Sequence, residues 1–390
     1  MTGIAAVAVD LSLPAIPAMV EALGTTMTLG QAIVGIFMAG MAFGQIPAGL
    51  LSDRAGRLPV LYAFLGIFLA AAVVTAAASD IGLILAARFV QGFGAAGAVV
   101  ISRAIVRDVA SGKDAAQLMS VMTMIFTFAP VIAPSVGALM IAQWSWRAPF
   151  IAIAACAFII IVLIRIFIAE THSPNPDGHP IRQLGRSFTE FFSHRQSVYG
   201  LLLLILLPVG FMSIIAVSAA LAVDIYGFSV QNYGLLFALM GLSILAGSIA
   251  NRWLVTRLEA LPLIGVGVSI MALSGGQLLL IAWLDAAPFA WLWSNVCAFM
   301  FSIAIVMANA TVLALDPLPR IAGVASSILG TMQNIFGAAG ALLGAMLYDG
   351  SVRNAVLLMG LAGAGVTIVY LARPLLCPKI VHRGDDLARD

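Results

Sequence analysis

Two residues that carry charge lie where charge is costly. Asp10 falls inside the first long apolar run and Arg88 inside the fourth. A charged side chain at mid-bilayer costs at least about 2.5–3.5 kcal/mol on an insertion scale, so by default it faces the protein interior, has a partner and serves a function. An aspartate can bind and release a proton, and a nearby arginine can tune that exchange or take over as counter-ion. At about 1.5 Å per residue, Asp10 sits about 14 Å above the inner end of its span and Arg88 about 11 Å below the outer end of its own. In an apolar core about 30 Å thick those depths nearly coincide, so the two are expected to interact. Gln91 follows Arg88 at a spacing that places both on one helix face and extends the polar spot. The competing reading is a buried pair that only fixes helix packing.

Other chemistries lack their residues. The histidines stand at 172, 179, 194 and 382, and no His-Glu-x-x-His or Cys-x-x-Cys spacing occurs, so no metal and no cofactor is expected. Cys156, Cys297 and Cys377 are an odd number and imply no disulfide framework. Without a nucleophile beside a base, or paired carboxylates at depth, an enzyme is not expected. Gly92-Phe-Gly94-Ala-Ala-Gly97 has the form of a dinucleotide fingerprint, but it sits within an apolar run with no strand before it. Its glycines, like those of Gly340-Ala-Leu-Leu-Gly344, are read as points of close helix approach.

The elements that must position these residues follow from composition. Of 390 residues, 62% are hydrophobic and 9% charged, so the chain cannot solvate its own surface in water. Apolar runs of about twenty residues predict spans at 1–21, 29–51, 58–78, 81–103, 116–142, 147–169, 197–223, 230–250, 260–284, 288–315, 321–347 and 352–375. The runs are too long and too uniformly apolar for barrel strands. The expected fold is an all-α polytopic membrane protein of twelve transmembrane helices in two six-helix pseudo-repeats. Its parts are an amino-terminal bundle at 1–169, a linker at 170–196, a carboxy-terminal bundle at 197–376 and a tail at 377–390. Within the linker, 181–193 can form an amphipathic surface helix. The apolar start has no basic leader and no cleavage site, so it is read as a retained first span, unusually short at its front.

An echo supports the repeat: Gly49-Leu-Leu-Ser-Asp53-Arg54 closes the second span and Gly247-Ser-Ile-Ala-Asn251-Arg252 the eighth. Parallel repeats predict a substrate site near the midplane where they meet. Sixteen Lys and Arg fall on one side of the spans, and only Arg147 and Arg353 fall in loops on the other. The positive-inside rule then places both termini and the linker in the cytoplasm, and nucleic acid is not an implied partner.

The stretch Gly49-Leu-Leu-Ser-Asp53-Arg54-Ala-Gly56-Arg57-Leu-Pro59-Val-Leu61 resembles the major facilitator superfamily signature between helices two and three. The resemblance implies that Gly49, Asp53, Arg54, Gly56 and Arg57 form an inner gate, with Leu58 standing where the family often has a second basic residue. Arg88-Phe-Val-Gln91-Gly92 is similar to the fourth-helix motif, whose arginine is linked to proton coupling. Ala129-Pro130-Val-Ile-Ala133-Pro134-Ser-Val-Gly137 resembles the fifth-helix antiporter motif, so Pro130, Pro134 and Gly137 are expected to bend and pack that helix. With Asp10-Leu-Ser-Leu-Pro14-Ala-Ile-Pro17, Trp146-Arg147-Ala-Pro-Phe150 and Ala322-Gly323-Val-Ala325-Ser326, the resemblance extends to the Bcr/CflA-type drug-resistance transporters. It implies a drug:proton antiporter of the bacterial inner membrane, with Asp10, Arg88 and Gln91 coupling the proton.

Seventeen methionines and twenty-one phenylalanines suit a compliant cavity, although most such residues in helix bundles are packing or lipid-facing. The candidate lining is Phe37, Met41, Gln45, Met122, Phe126, Phe211, Met240, Asn309, Met332, Gln333 and Phe336. The expected function is proton-coupled export of small amphipathic molecules by alternating access, from a monomer surrounded by lipid. Export of one defined metabolite on the same fold is the alternative, with Gln31, Gln45, Asn309, Gln333 and Asn334 as polar contacts. A non-transporting sensor or scaffold is more remote, because no soluble signalling domain is apparent.

Overall fold

The computed structural model describes residues 1, 3–110, 118, 122, 132–171, 180–318 and 321–377. Among them every regular element is helical: α1 (Gly3–Asp10), α2 (Ile16–Leu23), α3 (Met27–Ala55), α4 (Arg57–Ala77), α5 (Ile81–Val109), α6 (Ile132–Gln143), α7 (Ala148–Phe167), α8 (Pro180–Ser193), α9 (Arg195–Ala220), α10 (Val230–Leu254), α11 (Ala260–Leu284), α12 (Phe289–Leu315), α13 (Ala322–Leu347), α14 (Val352–Leu371) and α15 (Arg373–Leu376). Among the described residues, eleven spans are long and apolar enough to cross a membrane, with α1 and α2 together making the first. The shorter α6 belongs to the predicted fifth span, whose first part lies outside the described residues. The chain is a polytopic helical membrane protein.

The first span is broken. Pro14 and Pro17 lack the N–H that a continuous ladder needs, and a 3-10 turn at Leu13–Ala15 separates α1 from α2. Ser12 closes the end of α1 by donating its hydroxyl to the Val9 carbonyl at 2.8 Å. Asp10 is the last residue of α1, so the break fixes its position. The sequence motif Asp10-Leu-Ser-Leu-Pro14-Ala-Ile-Pro17 thus encodes a kinked helix with a carboxylate at the kink.

One compact unit comprises Met1–Gly178, Ile215–Gly241 and Ala341–Met346. Within it α3 lies along α5, with Gly92 set against the Phe37 carbonyl and Gly44 against Phe93, contacts that leave no room for a Cβ. Gly94 and Gly97 face Phe68 and Phe64 of α4 in the same way, so the fingerprint-like glycines are packing positions. Asp80 caps α5 by accepting from the Leu83 N–H at 3.0 Å. In α6, Gly137 meets the Leu11 backbone, and Ser135 donates to the Gly234 carbonyl at 3.1 Å.

The other unit comprises His179–Ile214, Leu242–Gly340 and Leu347–Asp390. Here α11 packs on α12 and α14, Gly340 of α13 meets the Val209 backbone, and Gly210 of α9 meets Ala362 of α14. The expected surface helix of the linker is present as α8, with Phe191 buried beneath it and Phe192 half exposed.

The two basic residues that depart from the one-sided charge distribution have a shared explanation. Arg147, at the start of α7, donates Nη2 to the carbonyl of Ala78 at the end of α4, 3.1 Å away. Arg353, in the first turn of α14, donates Nε to the carbonyl of Ala282 in the last turn of α11, at 3.0 Å. Each satisfies a carbonyl that the helix end leaves without an intrahelical donor, at the negative pole of the helix dipole. The third and ninth spans are therefore tied to the sixth and twelfth by the same device, a repeat signature that the hydropathy pattern does not reveal.

Candidate functional site

Arg88 is wholly buried in the first unit. Its Nη1 donates to Gln91 Oε1 at 2.8 Å and to the Ala8 carbonyl at 3.3 Å. The guanidinium carbon lies 4.4 Å from the centre of the Phe37 ring and 5.9 Å from that of Phe150, so two aromatic faces supply part of the stabilisation that water would give. Nε and Nη2 of Arg88 and Nε2 of Gln91 are buried and make no hydrogen bond. The one-turn spacing of Arg88 and Gln91 thus acts as expected, and Phe37, put forward as cavity lining, is the ring under the cation.

Asp10 is also buried, at 5% exposure, but forms no ion pair with Arg88; the ion pairs among the described residues both belong to Arg57. Arg88 reaches the same helix through a backbone carbonyl two residues earlier. Equal depth along two helices does not by itself make an ion pair, and none joins Asp10 to Arg88 here. Elsewhere in the same unit the Tyr233 hydroxyl lies 2.9 Å from the Ser218 hydroxyl. Tyr233 and Ser218 are fully buried.

The signature stretch builds a second polar site, at the junction of α3 and α4. Arg57 bonds Asp53, one turn earlier, and Asp108 at the end of α5, with Nε to Asp108 Oδ2 at 2.8 Å and Nη1 to Ser52 Oγ at 3.0 Å. Gly56 has φ +96°, a left-handed conformation suited to glycine, and so lets α4 start immediately after α3. Having no side chain, Gly56 cannot cap α4, and Glu170 does so from beyond α7. Its Oε1 and Oε2 accept from the Arg57 and Leu58 N–H groups, each at 2.9 Å. Thr171 then bonds Asp108 at 3.2 Å and closes the network.

The expected gate residues thus divide. Asp53, Gly56 and Arg57 are in the network, whereas Arg54 is exposed and makes no ion pair among the described residues. A Cβ at Gly49 would meet only Val100, at 3.8 Å, so that glycine is not sterically required. Asp108 and Glu170 were not singled out from the sequence. Acidic residues at the ends of the fourth and sixth spans, on the side rich in arginine, were the available signal.

The remaining candidates differ in burial and bonding. Met41, Gln45 and Met240 are buried; Met122, Phe211, Met332, Gln333 and Phe336 are half-buried. Asn309 donates Nδ2 to Asn251 Oδ1 at 2.7 Å, and Asn334 bonds the Gly330 carbonyl of its own helix, so both serve helix structure. Pro134 and Gly137 are buried in α6, while Pro130 and Phe126 lie outside the described residues. Gln31 is 1% exposed, with neither amide atom bonded.

The chain is similar to known proteins both in sequence and in fold. It is 29% identical over 370 residues to the bicyclomycin resistance protein homolog of Haemophilus influenzae, covering 93% of this chain and 91% of that protein. It is 26% identical over 387 residues to multidrug resistance protein D of Escherichia coli, covering 98% and 95%. Its fold matches the crystal structure of a D-xylose-proton symporter with a TM-score of 0.76 at 17% identity, over 97% of this chain and 98% of the other. The crystal structure of the peptide transporter POT in complex with sulfate matches with a TM-score of 0.74 at 16% identity, over 97% and 93%. The Major Facilitator Superfamily description matches residues 1–341, and the chain belongs to that superfamily of small-molecule transporters, which are not enzymes.

Proposed function

We propose that this protein is a proton-coupled exporter of small amphipathic molecules, working by alternating access in a bacterial inner membrane. The observation that carries the reading is Asp10: a carboxyl group buried at the break in the first span, with no cation paired to it among the described residues. An intramembrane acid of this kind is suited to carrying a proton, and Arg88 and Gln91 beside α1 are suited to sensing whether it does. The names of the relatives, bicyclomycin resistance and multidrug resistance, favour drugs as the cargo. In this reading the chain acts as a monomer, exchanges protons for cargo, and keeps both termini and the linker in the cytoplasm. Its halves are the bundles 1–169 and 197–376, and the Asp53–Arg57–Asp108–Glu170 network is the part of the inner gate that must rearrange during transport.

Export of one defined metabolite is the second reading, favoured by Gln31, a buried amide with no partner and therefore suited to a polar ligand. A panel of drugs and metabolites offered to everted vesicles separates the two. Uphill accumulation of several unrelated amphipathic compounds that collapses with a protonophore is the expected result. Accumulation of a single polar metabolite selects the second reading, and accumulation indifferent to the proton gradient contradicts both.

A further inference from the structure

We infer that the free edge of Arg88 is a docking site for a carboxylate, so that the cargo of this transporter includes amphipathic carboxylic acids. A guanidinium offers a planar fork of donors that matches the two oxygens of a carboxylate. In Arg88, Nη1 is already committed to Gln91 and to the Ala8 carbonyl. Nε and Nη2, which share another edge of the plane, are buried and bond to nothing. Gln91 Nε2 is a third buried donor without an acceptor beside them. Every free polar atom at this spot is thus a donor, which selects an anion and disfavours a cation or a neutral acceptor-poor group.

The described residues do not supply that anion. Neither Asp10 nor any other described carboxylate pairs with Arg88. Leaving a buried cation without a counter-charge is costly, and a ligand that brings one negative charge relieves the cost. The Phe37 and Phe150 rings beside the guanidinium are fully buried and suit an apolar body attached to the acid. Since Arg88 itself is enclosed, the ligand reaches the edge when the helices part during the transport cycle, and the inference rests on the exporter reading to that extent.

The test is equilibrium binding of labelled 4-phenylbutyrate to the full-length protein in detergent, at one pH and without a gradient, with displacement by the unlabelled acid or by 4-phenylbutanamide. The acid is expected to bind at least about tenfold more tightly than the amide. Arg88→Gln should abolish the preference, and Arg88→Lys, which keeps the charge but not the fork, should weaken it; the chromatographic profile and melting temperature of each variant establish that it is folded. Equal affinity for acid and amide in the wild type, or a preference that survives in folded Arg88→Gln, overturns the inference. In Asp10→Asn the preference should persist. If the acid is preferred only in Asp10→Asn, the edge belongs to the aspartate in another state and the inference fails. Wild-type accumulation that is indifferent to an imposed proton gradient, with the acid preference intact, would instead remove the proton-coupling reading and leave this site standing.

Discussion

The ends of the second and eighth spans occupy the same place in the repeat, yet they are held by different forces. After Asp53 comes Arg57 four residues on, clamped between Asp53 and Asp108, and Glu170 caps the helix that Arg57 opens. After Asn251 comes Val255 at the same spacing, and Asn251 accepts one neutral hydrogen bond from Asn309. The downstream cation there, Arg257, stacks on Trp253 with its guanidinium carbon 3.9 Å from the ring centre. The sequence echo therefore does not extend to charge: one half has an ionic latch, and the other a neutral hydrogen bond.

The largest expected effect of breaking this asymmetry is at Arg57. Removing one partner of a buried ion pair costs about 3–5 kcal/mol, and half-exposed Asp53 lowers that figure, so Arg57→Ala is expected to cost about 2–3 kcal/mol. Unfolding in mixed micelles, read by circular dichroism, measures it. A cost no larger than that of Asn309→Ala would erase the distinction between the two halves. Glu170→Ala leaves the first N–H groups of α4 without a cap and is expected to cost about 1–2 kcal/mol in the same measurement. Asn309→Ala removes one interhelical hydrogen bond, worth about 0.6 kcal/mol on average between membrane helices. The smallest change expected is with salt. Raising ionic strength should shrink the Arg57→Ala penalty slightly and leave the Asn309→Ala penalty unchanged, because salt screens the partly exposed latch alone; equal sensitivity would argue that charge is not what separates the halves.

How much of this was legible in the sequence depends on whether a feature is local. The spans were legible because twenty-residue apolar runs are local, and so was the Arg88–Gln91 bond, which needs only helical spacing. The partners of Arg57 were not. Asp108 and Glu170 lie 51 and 113 residues away, and only the folded bundle brings them to the start of α4. Asp10 and Arg88 show the limit of a depth argument: counting residues along a span gives height but not facing direction. The break in the first span was encoded by Pro14 and Pro17, whose lost N–H groups matter more than the apolar run that surrounds them. Arg147 and Arg353 were visible as exceptions to the charge rule, but their shared role as helix-end donors needed coordinates.

The most direct test of the exporter account is gradient-driven uptake by Asp10→Asn in proteoliposomes, alongside binding of the same compound. The amide cannot exchange a proton, so the folded variant is expected to bind the compound while losing uphill accumulation under an imposed pH gradient. Accumulation at the wild-type rate and to the wild-type level would contradict the account and remove Asp10 from the coupling mechanism.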